Sequence, residues 1–78
     1  MARYHYFLHR YGESSGPFAT FGSRKALSNC MKALPYSPFE LADKFFLHVM
    51  CPHSSVVYDF VSRDGVHLVA VPSHRVNF

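Results

Sequence analysis

The 78 residues predict one domain spanning 1–78, of a size that buries only about 60% of its unfolded surface. Hydrophobic residues at 49% exclude a disordered chain, and the short length leaves few residues to line a deep substrate cavity. Eight Lys and Arg against five Asp and Glu give a charge of +3, which favours an acidic partner, protein or nucleic acid, without choosing between them.

Residues 3–11, RYHYFLHRY, alternate as a strand does. Tyr4, Tyr6 and Leu8 share one side, and Arg3, His5, Phe7, His9 and Tyr11 share the other, giving an apolar face and a basic, aromatic face. The loop GESSG follows, and then PFATF, a short return strand with Pro17 at its start. Ser23 is placed to cap a helix over 24–34, with Ala26, Leu27, Cys30, Met31 and Leu34 on one stripe and Arg24, Lys25 and Lys32 opposite; Pro35 stops it. A second helix starts at YSPFEL: Ser37 is the N-cap, Pro38 the first helical residue, Glu40 the capping-box partner, and Tyr36 and Leu41 form a hydrophobic staple.

Residues 45–51 fit two readings. In one, the helix continues through Met50, with Leu41, Ala42, Phe45, Phe46, Val49 and Met50 on one arc. In the other it ends at Lys44, and FFLHVMC is a buried strand. The tripeptide FLH occurs at both 7–9 and 46–48. Farther on, SVVYDFVS and VHLVAV flank RDG, the pattern of a hairpin with a two-residue Asp64-Gly65 turn. That turn pairs Arg63 with Val66, Val61 with Leu68 and Asp59 with Ala70. It puts Val56, Tyr58, Phe60, Val69 and Val71 on the core face. Pro72 ends the pairing, and PSHRVNF reads as a loose tail.

These elements predict an α+β fold: an antiparallel sheet of four or five strands with one or two helices packed on one face. The other face collects Val57, Val61, Val66 and Leu68 beside Asp59 and Arg63, together with Arg3, His5, Phe7 and His9. A mixed apolar, aromatic and basic surface suits binding; the alternatives are that the second helix, the tail or a dimer mate covers it. The expected interface has Val61 and Leu68 at its centre, Arg63, Arg3 and His9 on its rim, and His5 and Phe7 beside them.

No chemistry-bearing pattern is complete. His48, Cys51 and His53 are three possible zinc ligands within six residues, but there is no CxxC and the spacing matches no common zinc pattern, so no metal and no cofactor is expected. His5 and His9 would lie roughly 13 Å apart on a strand, too far to share an ion. Hairpin pairing puts Asp59 and His67 on opposite faces, and nothing places a serine beside either, so no enzymatic role is expected. SGPFATF echoes the aromatic strand motif of RNA-recognition domains but lacks the basic residue before its glycine. Met1 is followed by charged and polar residues and no apolar run approaches a membrane span. Both predict a cytoplasmic chain with Cys30 and Cys51 reduced.

With FATFGSRKAL running from strand into capped helix, and VVYDFVSRDGVHLVAV as a closing hairpin, the chain resembles the small anti-CRISPR proteins of phages and mobile elements, of the kind directed at type I systems. The resemblance is one of format: these proteins share no active-site signature, so no residue roles carry over. It implies a stoichiometric inhibitor, in the cytoplasm of a bacterial host, that binds a CRISPR effector complex and blocks target DNA binding or nuclease recruitment. Many such proteins are acidic mimics of DNA. This chain is basic, and so would instead grip an acidic surface of a Cas subunit or engage nucleic acid held by the effector. The other reading is a small basic nucleic-acid-binding protein; neither fixes the state as monomer or homodimer.

Overall fold

The computed structural model describes residues 3–74; the expected tail falls partly on 75–78, outside the described residues. Five strands, β1 (His5–Arg10), β2 (Ala19–Phe21), β3 (Phe45–Cys51), β4 (Ser54–Val61) and β5 (Val69–Pro72), form one antiparallel sheet in the order β2-β1-β3-β4-β5. Two helices, α1 (Arg24–Ala33) and α2 (Pro38–Lys44), connect β2 to β3. The fold is α+β, as the sequence pattern implies.

Alternation in β1 sorts Tyr6 and Leu8 as expected, but Tyr4, which precedes the strand, is 50% exposed and outside the core. Leu8 is fully buried, and Tyr6 packs against the same core. Both helices contribute to that core. Ser23 caps α1 by accepting from the Ala26 amide at 3.1 Å, and Leu27 and Met31, one turn apart, are the buried residues of the apolar stripe. The capping box of α2 is formed in both directions: Ser37 Oγ accepts from the Glu40 amide at 3.3 Å, and Glu40 Oε1 accepts from the Ser37 amide at 3.4 Å. Leu27, Met31 and Leu41 from the helices meet Leu8, Phe45, Leu47 and Phe60 from the sheet in one cluster.

The run 45–51 is a strand, and α2 stops at Lys44. It reads as continuously apolar because β3 is central and is buried on both sides at its start: Phe45 and Leu47 point into the core, while Phe46 is buried on the far side of the sheet.

The closing hairpin differs from the expected one by a single residue. Val61 pairs with Val69, Phe60 with Ala70 and Asp59 with Val71, joined by a loop over 62–68. Local hydrogen bonds decide this. Asp64 Oδ1 accepts from the amides of Val66 and His67, both at 2.9 Å, and Ser62 Oγ accepts from the Gly65 amide at 3.1 Å, so the chain turns around the Asp64 side chain rather than in a tight two-residue turn. Gly65, at φ +76°, lies under the Phe39 ring of α2, where an added Cβ would come within 2.5 Å of it. A slip of one residue exchanges the faces of β5. Val69 and Val71 therefore leave the predicted core face, and Leu68 leaves the predicted outer one and packs against the core.

Candidate interaction face

The helices cover one face of the sheet. The opposite face is built by alternate residues: His5, Phe7 and His9 from β1, Thr20 from β2, Phe46, His48 and Met50 from β3, Ser55, Val57, Asp59 and Val61 from β4, and Val69 and Val71 from β5. Met50, Val69 and Val71 are 40%, 53% and 38% exposed, more than a packed sheet face leaves.

Its centre comes from the two FLH tripeptides. They pair with each other in antiparallel fashion, Phe7 with His48, Leu8 with Leu47 and His9 with Phe46, so a local twofold runs through the leucine pair. The leucines point into the core, and the two phenyl and two imidazole rings stand together on the open face. The His9 ring stacks on Phe46, with centroids 4.8 Å apart and planes within 6°. Phe7 and His48 lie 5.9 Å apart, and the His9 and His48 rings meet on the diagonal at 6.2 Å. Burial, and then the facing His48, hold the His9 imidazole below its ordinary proton affinity. His48 Nε2 is hydrogen-bonded with Ser55 Oγ.

Tyr11 extends this cluster. Its ring lies 4.8 Å from Phe46, and its hydroxyl donates to Asp59 Oδ1 at 2.6 Å. Asp59 thus sits on the open side but is only 7% exposed, and serves as an internal acceptor rather than an outward marker. Beyond it lie the valines. The face consequently has an aromatic, histidine-rich half on β1 and β3 and a valine half on β4 and β5. At the His5 end a groove of about 650 Å³ is lined by Arg3, His5, Phe7, Met50, Cys51 and Pro52.

Of the residues expected at an interface, Arg3, His5, Phe7, His9 and Val61 are brought to this face or its border. Arg63 is exposed in the loop over 62–68, and Leu68 is removed to the core. Sequence reasoning missed His48, Phe46, Val69 and Val71 as members and missed the Tyr11–Asp59 bond. The repeated FLH was the available signal for the first two.

Among the described residues no three His, Cys, Asp or Glu side chains are grouped to hold a metal ion, and no helix is long and apolar enough to cross a membrane. Asp59 and His67 do not meet. His67 Nδ1 is 2.6 Å from Asp64 Oδ2, and the His67 amide, its imidazole and the Val66 amide hold the Asp64 carboxyl well below the usual carboxylate range. No protein-family model, curated protein or solved structure matches the chain.

Proposed function

We propose that the chain works by binding another protein through its open sheet face, as a stoichiometric inhibitor. The observation that supports this is the face itself: aromatic rings, exposed valines and Met50 in one surface that neither helix covers, edged by Arg3. Apolar centres with aromatic anchors concentrate binding energy. The format resemblance gives the target: a CRISPR effector complex, with inhibition by blocking target DNA binding or nuclease recruitment.

The rival reading is a small basic nucleic-acid-binding protein, supported by rings suited to stacking on bases. Against it, Arg24, Lys25 and Lys32 lie on α1, in the layer behind the sheet, away from the rings of the open face.

The test is interferometry against purified type I effector complexes. Val71→Asp, at an exposed edge-strand position, should weaken binding at least tenfold while circular dichroism stays native. Full binding by a folded Val71→Asp protein would remove this face. Binding to no effector complex, with affinity for single-stranded nucleic acid that falls log-linearly with salt, would replace the reading with its rival.

A further inference from the structure

We infer that the partner of the open face is acidic, and that its docking is coupled to proton uptake by His5, His9 and His48, so that the complex tightens between about pH 7.5 and about pH 5.5. This deepens the docking reading above and rests on it.

Three of the six histidines stand on this one face. Of the five carboxylates, Glu13 lies in the loop before β2, Glu40 and Asp43 on α2, and Asp64 in the loop over 62–68. The fifth, Asp59, is on the open side, but it is buried and accepts from Tyr11. Arg3 borders the groove with His5. Among the described residues, the exposed part of the face therefore carries cationic and titratable groups and no exposed carboxylate.

The surroundings of each imidazole are consistent with this. His5 has Met50 across from it and Ser55 beyond, Phe7 along its own strand, and Arg3, just before that strand, and Cys51 in the groove it lines. His48 meets Ser55, Phe7 and His9. His9 has Phe46 beneath it, His48 on the diagonal and Tyr11 beside it, with Asp59 beyond Phe46. Before docking, burial and then the facing His48 hold His9 toward its neutral form. Carboxylates arriving at the face reverse that balance by giving each imidazolium an opposite charge. Linkage then requires the complex to hold more protons than the free protein. Each imidazole whose proton affinity rises by one unit contributes up to about tenfold in affinity once the solution is acidic enough to protonate it.

The probes are two synthetic decapeptides, alternating Asp-Phe and alternating Lys-Phe, titrated into the isotope-labelled full chain with amide and imidazole resonances followed by NMR. The Asp-Phe peptide should shift Phe7, His48 and Val71, bind at least tenfold tighter at about pH 5.5 than at about pH 7.5, and raise the titration midpoints of the imidazoles. The Lys-Phe peptide should bind more weakly, and more weakly still in acid. Replacing His5, His9 and His48 together by Gln should reduce the pH effect to less than about twofold. The wild-type imidazole titrations carry the test should that variant fold poorly.

Equal affinity for the two peptides, affinity of the Asp-Phe peptide that does not change with pH, or no binding of it at about pH 5.5 would each overturn the inference. Failure of the docking reading is separable. It would show as undiminished partner binding by Val71→Asp, whereas flat imidazole titrations beside a damaging Val71→Asp would remove only the acidic, proton-coupled partner.

Discussion

Tyr11→Phe tests the open face from within. The substitution keeps the ring that lies 4.8 Å from Phe46 and deletes only the hydroxyl that donates to Asp59 at 2.6 Å. Because Asp59 is 7% exposed, water cannot freely replace the lost donor. Hydrogen bonds to charged groups contribute roughly 1.5–3 kcal/mol, so a loss of about 2 kcal/mol is expected. In a domain this small that corresponds to a fall in Tm of about 10 °C. Guanidinium unfolding at neutral pH should show the loss in the midpoint with an unchanged slope. A double-mutant cycle with Asp59→Asn isolates the pair, since Asn keeps an acceptor but not the charge. The Tyr11→Phe change should be much milder in the Asn background, with coupling near 1 kcal/mol or above. If Tyr11→Phe stays within about 0.5 kcal/mol of wild type and shows no coupling, the bond does not stabilise the face and the account of Asp59 as an internal acceptor is wrong.

Four further outcomes are expected. His9 is held toward neutrality in the folded chain, so the unfolded chain takes up its proton first as pH falls; stability should drop below about pH 6.5, and His9→Gln should flatten that drop in denaturation measured at several pH values. Gly65→Ala forces a side chain into φ +76° and against Phe39, and should cost about 1–2 kcal/mol, of which Phe39→Ala recovers only the steric part because the backbone strain remains. Leu68→Asp should unfold or strongly destabilise the chain in a thermal melt, because Leu68 packs on the core, whereas the neighbouring Val69→Asp should leave the melt nearly unchanged. Ser37→Ala should cost about 1 kcal/mol through loss of the capping box, read by urea unfolding.

Capping residues and face alternation were legible in the sequence because they depend on near neighbours. Ser23, Ser37 and Glu40 announced the start of both helices to the residue, and Leu8 with Tyr6 announced the core side of β1. The class and the antiparallel sheet followed from those signals. What failed depended on competition between local alternatives. Asp64-Gly65 signals a tight turn, yet Asp64 has a stronger option in two backbone amides and the His67 ring, and Gly65 is also wanted beneath Phe39. That choice moved the register by one and exchanged Leu68 for Val69 and Val71 at the surface. The candidate face was half legible. Its β1 half was visible in the alternation, while its β3 half stayed hidden until residues 45–51 were resolved as strand, since an apolar run buried on both sides has no period to read.

The pairing of the two FLH segments also has a consequence for how the chain comes off the ribosome. β1 is made first, yet its partner β3 lies some forty residues downstream, beyond both helices. At synthesis rates of about 5–20 residues per second, β1 waits for seconds with only the three-residue β2 to pair with, and with the edge that β3 will occupy open. Leu8, later the fully buried centre of the fold, is meanwhile exposed beside Phe7. The basic and imidazole side chains that alternate with these apolar residues give the nascent edge a charge that discourages pairing with another nascent copy. The residues that decorate the finished face thus also guard the strand before the face exists.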